Sequence, residues 1–152
     1  MVDTRDSGDL LAVQQLCARY WARADGDLSC ALPDLFTTDA TLVLGSLTLT
    51  GLAQIEAFFL ERDSTQAASR RTTRHFAANY RVTPAGEGRL RVQSLVQVYV
   101  GTGDWPMESA VPAGIADFDD LCVFDAARGR WQFARREGRT VFVGPGAARF
   151  AR

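Results

Sequence analysis

Residues 70–84 read RRTTRHFAANYRVTP, and the helical or extended reading of this stretch decides the fold. Upstream of it, apolar residues recur at helical spacing; from Thr73 onward they alternate. Strict alternation puts His75, Ala77, Asn79 and Arg81 on one face of a strand and Phe76, Ala78, Tyr80 and Val82 on the other. His75 is the only histidine of the chain. On a buried face, an imidazole and an amide separated by alanine need hydrogen-bond partners or a ligand.

Further strands are expected over 89–100, 114–124 and 130–143, with tight turns at Pro84–Gly88 and Asp125–Gly129. A long connection, Gly101 to Ala113, carries Trp105 and Met107; loops of that length often form lids or interfaces. Before residue 70, Ser7 or Asp9 can cap a helix running to Ala24. Its apolar stripe is Leu10, Leu11, Val13, Leu16, Cys17, Tyr20 and Trp21. A short helix is expected over 29–36, then a small hairpin, 40–44 and 47–50, about Gly45-Ser46. Gly51 opens a third helix with Leu52, Ile55, Phe58 and Phe59 inward and Gln54, Glu56, Glu61 and Arg62 on the wet face. Helices first and antiparallel strands afterwards make an α+β fold. Three N-terminal helices sit in the concave face of one strongly bent, mostly antiparallel sheet, leaving a pocket between the layers. A single domain spans 1–152, with its core at about 8–143 and a frayed tail from 144 to 152.

Composition narrows the function. Apolar residues make up 47% and charged ones 23%, which suits a globular domain with a core. A net charge of −1 offers no basic field for nucleic acid, and no apolar run is long enough for a membrane span. All 17 positive residues are arginine, a sign of GC-rich coding rather than of chemistry. Cys17, Cys30 and Cys122 form no CxxC pair and are read as buried free thiols; with an acidic, polar start lacking a signal pattern, a cytoplasmic protein is expected. One histidine without a spaced Cys or carboxylate cluster is a poor metal set, and no phosphate-cradling glycine loop is present. No metal and no cofactor are expected.

The order and spacing of Ala18-Arg-Tyr20, Ala24-Asp-Gly-Asp-Leu28, Leu35-Phe-Thr-Thr-Asp-Ala-Thr41 and Gly51-Leu-Ala-Gln-Ile-Glu-Ala-Phe58 carry a resemblance. Thr73-Arg-His-Phe76, Phe118-Asp-Asp-Leu121 and Gly129-Arg-Trp-Gln-Phe-Ala-Arg-Arg136 complete it. Over about Gly8 to Val143 the chain resembles the nuclear transport factor 2-like superfamily, within it the SnoaL-like polyketide cyclases and small dehydratases and isomerases. Against the ketosteroid isomerases of that superfamily, Tyr20 matches an oxyanion donor. The base would fall near Leu44 and the second acid near Ala116, which cannot do that work. Scytalone dehydratase-like members have a histidine at the place of His75. Their second histidine falls at Val100, and their aspartate near Ala22, one turn before Asp25. Thr73–Phe76 and Trp131–Arg136 also look like the β subunits of ring-hydroxylating dioxygenases, which implies a non-catalytic partner or ligand-binding module as the alternative.

The resemblance implies a cofactor-free lyase or isomerase that cyclises, dehydrates or isomerises an apolar oxygenated substrate of polyketide type. The catalytic candidates are His75 as acid or base, Asp25 or Asp120 as its carboxylate partner, and Tyr20 as oxyanion donor. Asp120 shares a strand face with Phe118 and Cys122, opposite Asp117 and Asp119, so its other possible partners are Arg135 and Arg136. Trp21, Phe58, Asn79, Tyr99 and Trp105 are the substrate-binding candidates. Phe76, Tyr80 and Val82, read as facing away from the helices, point to a homodimer through the outer sheet face.

Overall fold

The computed structural model of the chain describes residues 4–108 and 111–152; the first three residues, and two within the long connection, lie outside it. Helix α1 spans Thr4–Ala24 and α2 spans Leu32–Leu35. Strands β1, Phe36–Leu44, and β2, Leu47–Thr50, precede α3, Leu52–Ser69. Strands β3, Arg71–Pro84, β4, Arg89–Thr102, β5, Gly114–Asp125, and β6, Arg130–Val143, complete one sheet in the order β2-β1-β6-β5-β4-β3. Only the β1–β6 pairing is parallel; the other four are antiparallel. The helices pack on one face of this mixed, bent sheet, so the architecture is the expected α+β one.

Helix α1 buries Val13, Leu16, Cys17, Tyr20, Trp21 and Ala24, which recur at three- and four-residue steps and so share one stripe. At about 1.5–3 kcal/mol for each large apolar side chain withdrawn from water, this stripe is what seats α1 on the sheet. The helix begins at Thr4, ahead of the expected caps, and Leu10 and Leu11 lie on its exposed side. Helix α2 is shorter than the 29–36 expected. Asp27 accepts from the backbone N–H and hydroxyl of Ser29, holding a turn there, and β1 already starts at Phe36.

Strand β3 departs most from strict alternation. Asn79 is left-handed, with φ 56°, and the β3–β4 register slips between Ala78 and Arg81. This bulge adds one residue and reverses the phase beyond it. Tyr80 and Val82 therefore join Ala77 against the core instead of sharing the outer face with Phe76. The C-terminal stretch, expected to fray, folds back as a 3₁₀ turn over Arg149–Ala151. There the Phe150 carbonyl accepts from the Ser46 N–H at 3.0 Å, and its ring meets Phe58.

Candidate active site

Helix α1 ends at Ala24, and Asp25 comes immediately after the last turn. A carboxylate there faces the negative end of the helix dipole and needs compensation. It comes from β3: His75 Nδ1 lies 2.6 Å from Asp25 Oδ1, the His75 backbone N–H donates to Oδ2 at 2.9 Å, and the Thr73 hydroxyl donates to Oδ1 at 2.8 Å. Burial works against the carboxylate, but the bonds from His75 and Thr73 outweigh it and hold Asp25 below the usual carboxylate range. A carboxylate on Nδ1 places the neutral ring's proton there and leaves Nε2 with a free lone pair. Among the described residues Nε2 has no partner, and the imidazole lines the main cavity between the helices and the sheet. Trp21 stacks on the ring, with centroids 4.6 Å apart and planes 20° from parallel, fixing its plane.

The cavity walls are mostly apolar: Val96, Val98, Val100, Ile115, Phe58 and Phe118 among others, with Phe150 from the C-terminal turn. Tyr20 also lines the cavity, its ring held edge-on by Trp21, Phe36, Phe59 and Phe133. Burial raises its pKa against the pull of Arg136, so its hydroxyl stays a neutral donor. The structure thus brings His75, Asp25, Tyr20, Trp21 and Phe58 together.

Four other candidates lie elsewhere. Asp120 is fully buried, 3.3 Å from Arg136 and not on His75. Burial pushes its carboxyl up, opposed by Arg136, whose guanidinium is packed among the rings of Tyr20, Trp21, Phe118 and Phe133. Asn79 is exposed at the bulge, because the phase reversal takes its side chain off the His75 face. Tyr99 is on the outer face, where its hydroxyl accepts from Gln97 at 2.7 Å and its ring meets Phe76. Trp105 is exposed; its indole N–H donates to Thr72 at 2.9 Å and Arg74 lies over its ring.

Sequence reasoning missed both charged residues of the cavity wall other than His75, namely Arg62 and Arg71. The sequence places Arg62 on the wet face of α3, yet Ile55, Phe58, Phe59 and Arg62 continue one helical stripe, and that spacing is the available signal. No group of three or more His, Cys, Asp or Glu among the described residues could hold a metal ion.

This fold and site define a small α+β domain with an imidazole–carboxylate pair in an apolar cavity. The SnoaL-like domain model matches residues 5–137, and the chain belongs to the SnoaL-like family. Similar solved structures include a protein assigned as a scytalone dehydratase from Novosphingobium aromaticivorans, with a TM-score of 0.77 at 22% identity, covering 98% of this chain and 94% of that one. ActVI-ORFA from Streptomyces coelicolor has a TM-score of 0.76 at 19% identity, covering 91% and 99%. The hexachlorocyclohexane dehydrochlorinase LinA-type3 from Novosphingobium barchaimii has 0.73 at 15%, covering 94% and 93%. No curated protein matches the chain significantly.

Proposed function

We propose that the protein is a cofactor-free acid–base enzyme that dehydrates, cyclises or isomerises an apolar, oxygenated ring compound of polyketide type. The observation that carries this reading is the free Nε2 of His75, backed by Asp25 and opening on an apolar cavity. Nε2 takes a proton from carbon next to a carbonyl, and the electron pair moves into an enolate. Asp25 steadies the imidazolium as it forms, and the Tyr20 hydroxyl is the neutral donor nearest in kind to an oxyanion partner. With one base in the cavity, the same imidazolium can return its proton to a β-hydroxyl on the same face. The C–O bond then breaks, water leaves and the conjugated product remains. Dehydration is the simplest of the three outcomes for a single imidazole.

The names of two similar structures, one assigned as a scytalone dehydratase and one a dehydrochlorinase, both denote eliminations and support this preference. The test uses a bicyclic β-hydroxy ketone that becomes a naphthol on losing water. Wild type should form the naphthol and His75→Gln should not; formation at equal rates in both would dismiss the reading. The exposed Phe76 beside Tyr99 supports a homodimer through the outer sheet face, and sedimentation as a monomer at micromolar concentration would count against it. The free, buried Cys17, Cys30 and Cys122 suit a reducing, cytoplasmic setting.

A further inference from the structure

The charged side chains lining the cavity are of one sign. Arg62 and Arg71 face it beside His75, and among the described residues no aspartate or glutamate does. Other arginines drawn into this fold carry a carboxylate partner. Arg23 is held by both oxygens of Asp63, at 3.0 and 2.6 Å, Arg130 by Asp34 and Arg136 by Asp120. Arg62 and Arg71 have no ion pair among the described residues. Arg62 Nη2 donates to the Ala24 carbonyl at 2.9 Å and to Thr73 Oγ1 at 3.3 Å, which caps the end of α1. Arg71 Nη2 donates to the Gly146 carbonyl at 2.9 Å.

Those bonds occupy one nitrogen of each guanidinium and leave the remaining N–H groups without a partner among the described residues. Asp25 supplies no direct contact, since both its oxygens are taken by β3. Burial lowers the pKa of Arg62, as it does that of Arg71, and Arg71 repels Arg62 in addition. Asp25 and Asp63 offset part of the Arg62 charge at longer range, but no carboxylate among the described residues contacts either guanidinium, and an anion between them would make charge-assisted bonds to the free N–H groups. The Arg62 cap on α1 and the Arg71 bond to Gly146 each use one nitrogen, and neither accounts for the rest of two guanidinium groups facing one cavity.

We propose that Arg62 and Arg71 form a carboxylate subsite, so that the substrate is an apolar ring compound bearing a free acid. The inference rests on the cavity being the substrate site and adds the class of substrate. The ring lies along Val96, Val98 and Phe118, the carboxylate meets the guanidinium groups, and the reacting C–H comes under Nε2 of His75.

Calorimetric titration with naphthoate and naphthamide, which match in shape and differ in charge, tests this without any turnover. In wild type, naphthoate should bind at least about tenfold tighter than naphthamide, the size expected for charge-assisted bonds to guanidinium. The preference should survive in His75→Gln, so loss of catalysis and loss of the subsite are separable. Arg71→Gln, a change at a half-exposed position, should remove most of the preference. Arg62→Lys keeps the charge and a donor for Ala24, and should retain part of it. Equal affinity for acid and amide, a preference unchanged in Arg71→Gln, or no binding of either compound would each overturn the proposal.

Discussion

Asp25 accepts from both the imidazole and the backbone N–H of His75, at 2.6 and 2.9 Å, so a single carboxylate fixes the ring's tautomer and the strand's position. The Thr73 hydroxyl adds a third bond, and the preceding Ala24 carbonyl is capped by Arg62. The junction of α1 and β3 and the proposed proton-transfer group are therefore one structure. A side chain serving both purposes leaves different marks on rate and on stability.

On rate, His75→Gln should lower turnover by roughly 10²–10⁴-fold while the fold persists. Asp25→Asn should lower it substantially in the wild-type background and little once His75 is gone, because residues acting as a unit are not additive. Tyr20→Phe should cost less, since the ring and its packing remain. Single-turnover kinetics on the four combinations of the Asp25 and His75 substitutions give the coupling directly; additive losses would separate the two residues.

On stability, the sign follows from the depressed pKa of Asp25. A carboxyl whose folded value lies below its unfolded value contributes stability that is present above the unfolded value and lost as pH falls through the folded one. Urea midpoints measured from neutral pH downward should fall once pH drops below the ordinary carboxylate range. Asp25→Asn should be less stable at neutral pH and show a shallower decline. A decline of unchanged steepness in the variant would assign the acid limb to other carboxylates.

The layer order, the sheet and the apolar stripe of α1 were legible because period and spacing are local properties of the chain. Pairing Asp25 with His75 was not, since alternation cannot tell which of two carboxylates meets a residue fifty positions away. Nor was the bulge. Asn79 looks like any strand residue until its positive φ is seen, although asparagine is among the residues that enter that region most readily. One inserted residue then moved Tyr80 and Val82 inward and left Asn79 off the site. Tyr99 and Trp105 failed for a related reason: aromatic character marks burial or binding without saying on which side of a sheet.

The buried pair of Asp120 and Arg136 lends itself to a stability measurement. Removing one member leaves the other charge in an apolar setting, so Asp120→Asn should destabilise by about 3–5 kcal/mol. Arg136→Met should cost a comparable amount. Combining the two should recover much of the loss, since an uncharged pair of similar volume needs no compensation. Chemical denaturation of the three variants checks this. Additive losses would mean that the pair acts through packing alone, with the rings around Arg136 accounting for its burial.

The C-terminal turn closes one side of the cavity, and its seat depends on Gly45. At that residue φ is +57°, and an added Cβ would lie 1.9 Å from the Phe150 carbonyl oxygen. Even alanine must therefore displace Arg149–Ala151, breaking the bond from the Ser46 N–H and the contact between Phe150 and Phe58. Gly45→Ala should accelerate hydrogen exchange over residues 147–152 and lower the affinity of any ligand that reaches Phe150. The left-handed conformation itself accounts for roughly 1–2 kcal/mol of destabilisation in a non-glycine residue, whether or not the turn is displaced. Deleting residues 147–152 separates these effects. The deletion should reproduce the loss of affinity, and in the shortened chain Gly45→Ala should cost stability but no further affinity. If exchange at the turn stays slow in Gly45→Ala, the hairpin about Gly45-Ser46 has yielded instead, and the C-terminal turn is the more firmly held of the two.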